Sequence, residues 1–102
     1  AGVQGYAKSL ATEVGEDGIT VNTVLPGYTR TDRLDGLAEE MQSRTGQSRE
    51  EIEAGWAEDN ALPRIGEPEE FAAAVAFLAS RPAAYVTGVA FPVDGGRIKN
   101  VL

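Results

Sequence analysis

The feature that most restricts the possible folds is an apolar, largely β-branched run, Ile19–Leu25, that stops abruptly at Pro26-Gly27. Such a run, interrupted only by Asn22, is typical of a strand covered on both faces, as the strands of parallel sheets are. A helical pattern precedes it, with apolar residues at three- and four-residue steps: Val3, Ala7, Leu10, Ala11 and Val14. Helix, short turn and strand make half of a βαβ unit. The sequence therefore predicts an α/β fold built on a parallel sheet.

Two acidic helices are predicted between this strand and the next core element. The first covers 32–45, with Leu34, Leu37 and Met41 on one face, and the second opens at Ser48 with a capping box. Together they form a helical insertion over 32–62. A further helix starts near Pro68, with a predicted buried stripe of Phe71, Ala74, Val75 and Leu78. A second strand over 89–93 contains Pro92, which indicates a sheet edge.

The charge and the missing residue types exclude several classes of function. The net charge of −7 argues against a nucleic-acid partner, because phosphate contacts need clustered Lys and Arg. The chain has no Cys and no His, and no metal-spaced ligand set, so we expect no metal site. No apolar stretch approaches 18 residues, so we expect no membrane partner and a cytoplasmic location. The segment 35–59 holds eight Asp or Glu and two Arg, which favours a solvent-exposed helical face.

Two threonines directly after the first strand are the best candidates for ligand contact. Thr29 and Thr31 follow Pro26-Gly27 at the predicted carboxyl edge of the sheet, where open α/β sheets bind ligands. A hydroxyl both donates and accepts, so it suits a carboxamide or a phosphate oxygen. The alternative is that Thr31 caps the following helix. The two roles are compatible, since a helix N-terminus is itself an anion site.

Other side chains near this edge allow two interpretations each. Tyr28 and Trp56 could line a substrate pocket, although Trp56 could equally pack under the insertion. Arg30 and Arg33 flank the turn and could meet a phosphate or carboxylate, but local pairing with acidic neighbours is the simpler interpretation. Asp94, just before a Gly-Gly pair, is interpreted as a turn residue rather than a catalytic acid.

Four motifs, in one order, resemble the short-chain dehydrogenases/reductases. They are A-G-V-x-G-Y-A-K-S-L-A-T-E-V at 1–14, I-T-V-N-T-V-L-P-G-Y-T-R-T at 19–31, P-R-I-G-E-P-E-E-F-A at 63–72 followed by V-A-F-L-A-S at 75–80, and Y-V-T-G-V-A-F-P-V-D-G-G at 85–96. The chain is most similar to the 3-oxoacyl-carrier-protein reductase-like members. The resemblance implies the carboxyl-terminal part of a Rossmann-type, doubly wound parallel sheet.

The resemblance also implies that part of the active site is absent from this sequence. Family members carry a catalytic Tyr-x-x-x-Lys directly before the segment that matches Ala1-Gly2-Val3, and a glycine-rich dinucleotide turn further upstream. Tyr6 and Lys8 are only two positions apart and do not form such a pair on a helix. We therefore expect no catalytic residue in this chain, and expect this segment alone to be inactive.

The remaining family roles are assigned by position. Pro26 and Gly27 resemble the turn that faces the nicotinamide of NAD or NADP. Thr29 stands where a backbone group meets the carboxamide, and Thr31 matches the threonine that bonds the carboxamide or pyrophosphate. The insertion 32–62 matches a substrate lid, so lid residues are expected to shape access for a small carbonyl or alcohol substrate: Tyr28, Leu34, Leu37 and Trp56. A homotetramer is the family expectation.

One rival hypothesis belongs to another class of function. The acidic helices over 32–62 could form a non-catalytic module that binds a protein partner. The missing catalytic residues favour this module, while the Pro-Gly-x-Thr-x-Thr and Val-Asp-Gly-Gly motifs oppose it. The substrate, the direction of reaction and the choice between NAD and NADP all stay open.

Overall fold

The computed structural model describes residues 2–100 and shows four α-helices and two strands. Their bounds, in chain order, are α1 Gly2–Val14, β1 Thr23–Pro26, α2 Asp32–Thr45, α3 Arg49–Trp56, α4 Pro68–Leu78 and β2 Ala90–Val93. The two strands are parallel, with Thr23 opposite Ala90 and Pro26 opposite Val93. The predicted α/β class with parallel strands is thus confirmed, and so is the helical character of the insertion, which holds α2 and α3.

The first strand is shorter than the predicted Ile19–Leu25. It begins at Thr23 because Asn22 uses its side chain where a strand residue would use its backbone. The Asn22 Oδ1 accepts from the Val89 N–H at 3.2 Å, and its Nδ2 donates to the Val86 carbonyl at 3.1 Å. The predicted burial on both faces is also wrong for the described residues, since β1 is only half-buried.

Most helix ends follow the predicted signals, with one exception. The Ser48–Glu51 capping box opens α3, and Pro68 occupies the first turn of α4. Gly46 ends α2 in the left-handed region, at φ 75°. The sequence also predicts Gly15, directly after the helical pattern, as the left-handed residue that ends α1. That prediction is wrong, because the chain continues through a 3₁₀ turn and Gly18 takes the left-handed conformation instead.

The described residues bury few side chains for their number. The radius of gyration is 16.8 Å, against about 13 Å for a compact domain of about 100 residues. The predicted apolar stripes are therefore only partly covered: Val3 is 76% exposed, and Val75 is also exposed. Among the described residues, the buried hydrophobic side chains all lie outside the two strands: Ala11, Ala38, Ile52, Ala57, Ile65, Leu78 and Ala83.

None of the helices within residues 2–100 is both long and apolar enough to span a bilayer. Within the same part of the chain, no three acidic side chains, the only metal-ligating type present, cluster closely enough to hold a metal ion.

Candidate functional site

The carboxyl ends of the two strands meet at a tight backbone contact. The Gly27 N–H donates to the Val93 carbonyl at 3.0 Å, which places Gly27 against Asp94. A Cβ on Gly27 would lie 2.7 Å from the Asp94 Cα and 2.8 Å from its Cβ, so only glycine fits. Asp94 accepts from the backbone N–H groups of Gly96 and Ile98 at 3.0 and 2.8 Å, which confirms its interpretation as a turn residue.

Thr29 lies in extended backbone that continues past the strand. The Gly66 N–H donates to the Tyr28 carbonyl at 2.9 Å, and the Arg30 N–H donates to the Gly66 carbonyl at 2.8 Å. This parallel bridge leaves the N–H and C=O of Thr29 itself on the opposite side. Neither group has a hydrogen-bond partner among residues 2–100. The Thr29 hydroxyl donates to the Gly27 carbonyl at 3.2 Å, so the side chain is turned toward its own backbone.

Thr31 is the N-cap of α2. Its Oγ1 accepts from the Leu34 N–H at 3.3 Å, and the residue has the extended backbone of a cap. The hydroxyl proton remains available to an acceptor, because capping uses only a lone pair of the oxygen. The capping interpretation is thus confirmed, and it leaves room for the ligand-binding one.

The aromatic pair predicted for the lid is brought together. The rings of Tyr28 and Trp56 are stacked, with centroids 5.8 Å apart and planes 7° apart. The Arg97 guanidinium lies 5.0 Å from the centre of the Tyr28 ring and donates to the Trp56 carbonyl at 3.4 Å. The end of α3 is therefore attached both to the turn after β1 and to the segment after β2. A stacked pair of this kind contributes about 0.5–1.5 kcal/mol beyond its buried area.

Arg30 pairs with acidic side chains, as the simpler interpretation predicted, although its partners are distant in the chain. Its Nη1 and Nη2 donate to the two carboxylate oxygens of Glu53 at 2.6 and 2.9 Å, and its Nε donates to Glu67 at 3.0 Å. Arg49 donates to Glu53 at 2.8 Å and also bonds Asp35. The Arg30 guanidinium, with help from Arg49, lowers the pKa of Glu53. The predicted solvent-exposed acidic face is wrong for Glu53, whose side chain is 19% exposed.

A second bidentate pair lies at the start of α4. The two terminal nitrogens of Arg64 donate to Glu70 at 2.7 and 2.8 Å, and the Glu67 N–H donates to the same carboxylate at 2.9 Å. The Arg64 guanidinium, followed by that backbone N–H, lowers the pKa of Glu70 from 4.5 to about 2.

We expect acid to weaken the fold through these carboxylates. The pKa values of Glu53 and Glu70 are lower in the folded state, so their stabilisation is complete above pH 4.5 and is lost as the pH falls from 4.5 toward 2. Glu70→Gln should lower the melting temperature at pH 7 and have a much smaller effect near pH 2. Circular dichroism melts across that range check this. An equal effect at both ends would contradict the assignment.

Two cavities lie beside the strands, and one of them has a predicted cofactor residue, Thr29, in its lining. One, of about 210 Å³, lies between the turn after β1, the start of α4 and the end of β2, and its lining includes Thr29, Phe71 and Asp94. The other, of about 260 Å³, lies near Lys8 and Gly88 at the opposite end of the strands. Neither cavity has Pro26, Gly27 or Thr31 in its lining.

The structure places the remaining lid residues on α2. Leu34 is half-buried and Leu37 is 40% exposed, while the fully buried position of that helix is Ala38. The stripe of α2 is therefore centred one residue away from Leu37.

Sequence reasoning missed Arg49, Glu53 and Arg97. The i,i+4 spacing of Arg49 and Glu53 was a usable signal for one ion pair. The pairing of Glu53 with Arg30, 23 positions away, left no local trace in the sequence.

Comparison with known proteins defines the class. The family profile described as enoyl-(acyl carrier protein) reductase matches residues 1–97. The chain belongs to the short-chain dehydrogenase/reductase family. It is 46% identical over 96 residues to the 3-oxoacyl-acyl-carrier-protein reductase of Vibrio cholerae, covering 94% of this chain and 35% of that protein. It is 42% identical over 95 residues to the short-chain reductase NovJ of Streptomyces niveus, covering 93% and 35%.

Solved structures agree with the family assignment. L-sorbose reductase from Gluconobacter frateurii, complexed with NADPH and L-sorbose, superposes with a TM-score of 0.89 at 35% identity, covering 98% of this chain and 38% of that one. The NADPH-dependent reductase YwfH, from bacilysin biosynthesis, gives 0.84 at 32% identity, covering 98% and 38%. The predicted Rossmann-type fold is thereby confirmed. The chain spans 35% of the length of NovJ and of the Vibrio cholerae reductase.

Proposed function

We propose that this chain is the carboxyl-terminal portion of an NAD(P)-dependent oxidoreductase acting on a small carbonyl or alcohol substrate. The observation that carries the proposal concerns Thr29, at the carboxyl edge of the parallel strands and two positions before Thr31. Its N–H and C=O have no hydrogen-bond partner among residues 2–100. Relatives that bind NADPH or reduce 3-oxoacyl groups, each matched over nearly all of this chain, support it.

The donor set at this edge fits a nicotinamide carboxamide. A carboxamide offers one carbonyl acceptor and an NH₂ donor, and the free N–H and C=O of Thr29 complement both groups. The Thr31 hydroxyl can donate to the same carbonyl. A pyrophosphate fits less well, because the first turn of α2 carries Asp32, whose charge repels an anion. We therefore assign Thr29 and Thr31 to the carboxamide rather than to the phosphates.

The other predicted residues have supporting parts in this proposal. Gly27 has no side chain, so the turn can pack directly against Asp94, and this contact sets the position of Thr29. Tyr28, Leu34, Leu37 and Trp56 cover the edge and limit the access of water to it. The nicotinamide supplies the hydride when it is bound.

The catalytic acid/base is assigned to a part of the relatives that this chain does not match. The sequence contains no Tyr-x-x-x-Lys, and it spans 35% of the curated relatives. A tyrosine whose pKa is lowered by a neighbouring lysine would move the proton there.

A homo-oligomer is supported by the exposed apolar side chains of α1, including Val3 and Tyr6. The tetramer and the cytoplasmic location stay predictions.

The test uses the complete polypeptide that carries this sequence. NADH and NADPH are titrated by fluorescence, and oxidation of the reduced cofactor is followed with 3-oxoacyl thioesters and small ketones. We expect saturable binding of one cofactor below about 1 mM, and turnover only when a carbonyl is present. Tyr85→Ser, at a fully exposed side chain, is the matched control and should behave as the parent does. Absence of cofactor binding would overturn the proposal.

A further inference from the structure

The lid helix α3 is joined to the turn after β1 by a small number of side chains. Its main packing partner is the other lid helix, α2. Among residues 2–100, every hydrogen bond between α3 and the segment 27–31 comes from Arg30. In the described part of the chain, one aromatic contact joins α3 to that segment, the stack of Trp56 on Tyr28.

Arg30 has the geometry of a fixed bridge rather than of a loose surface pair. Both terminal nitrogens bind one carboxylate, that of Glu53, and the Nε binds Glu67 at the start of α4. Bidentate pairs with a carboxylate are the strong class of ion pair, because two parallel bonds fix the orientation as well as the distance. Arg49 continues the connection from Glu53 to Asp35 on α2. One network thus joins α2, α3, the turn and α4.

Arg30 belongs both to the turn after β1, through its backbone, and to the ion-pair network, through its side chain. Arg30 stands between Thr29 and Thr31, and its backbone N–H donates to the Gly66 carbonyl at 2.8 Å. Its backbone is therefore part of the turn that we assign to the cofactor, while its side chain holds the lid. We infer that Arg30 is a positioning residue that keeps α3 over the carboxyl edge of the sheet and thereby sets substrate access. The kinetic part of this inference rests on the proposed function.

The test compares Arg30→Met and Arg30→Lys in the complete polypeptide. Met removes the charge and the fork at similar length, and Lys keeps the charge but cannot bind both oxygens. Hydrogen exchange of the α3 amides should rise at least tenfold in Arg30→Met, because both charge-assisted bonds to Glu53 are lost and each carries about that factor, and it should rise less in Arg30→Lys. The KM for the carbonyl substrate should rise by a similar factor, with a smaller change in kcat.

Arg64→Met is the matched control, because it breaks an equally bidentate pair that does not touch the lid. Exchange in α3 and substrate KM should stay at parental values there. Glu53→Gln should also raise α3 exchange, and because both variants lose the same Arg30–Glu53 pair, the effect of the double variant should be smaller than the sum of the two single effects. Unchanged α3 exchange in Arg30→Met, or an equal rise in Arg64→Met, would overturn the inference. Exchange needs no activity, so it tests the bridge even if the cofactor titration refutes the proposed function.

Discussion

Gly27→Ala should destabilise the protein by about 1–3 kcal/mol and remove most of its nicotinamide binding. The added methyl would come within 2.7 Å of the Asp94 Cα, and a backbone atom cannot move aside as a flexible side chain can. The turn must therefore separate from β2, and Thr29 moves with it. Urea denaturation measures the first effect, and fluorescence titration of the cofactor measures the second.

Gly36→Ala is the control for this change. Gly36 lies within α2 and has no neighbouring atom within 4 Å of an added Cβ. Alanine there should be neutral or stabilise by up to about 1 kcal/mol, because it is the better helix former. If both alanine variants have the same stability, the contact between Gly27 and Asp94 does not constrain the turn.

Thr31→Val should raise the KM for the cofactor by about tenfold, the factor for one lost hydrogen bond of about 1.4 kcal/mol. The same change removes the N-cap of α2 and should cost about 1 kcal/mol of stability. Steady-state kinetics with varied cofactor, together with a denaturation midpoint, report the two effects separately.

Two further substitutions at Thr31 separate the cap from the ligand contact. Thr31→Ser keeps the hydroxyl and should preserve both the stability and the KM. Thr31→Asp keeps a capping oxygen but, when ionised, has no proton to donate, so stability should be retained while the KM rises. A normal cofactor KM in Thr31→Val would exclude the assigned contact, whatever happens to stability.

Two of the eight acidic residues in the segment 35–59 have a different role from the one its composition indicates. Asp35 and Glu53 lie in an ion-pair network with Arg30 and Arg49 and do not simply face solvent. Glu67 at the start of α4 belongs to the same network. The other six acidic residues of 35–59 are exposed, as the sequence predicted: Glu39, Glu40, Glu50, Glu51, Glu58 and Asp59. Family membership favours the enzyme over an acidic binding module.

Local signals predicted the elements well where one residue decides an end. The residues that start or end a helix act on backbone hydrogen-bonding groups within one turn, so their effects can be predicted from the sequence. They are Thr31, Gly46, Ser48 and Pro68. The start of β1 could not be predicted in the same way. It depends on Asn22 bonding to a segment more than 60 positions away.

The sequence by itself determined the class of fold, the helix caps and the strand that ends at Pro26-Gly27, because periodicity and capping act between residues a few positions apart. Tertiary structure alone decided three features of the site: the contact of Gly27 with Asp94, the free backbone groups of Thr29, and the bridge from Arg30 to Glu53. Each joins segments distant in the chain, and their meeting depends on how the strands and helices pack.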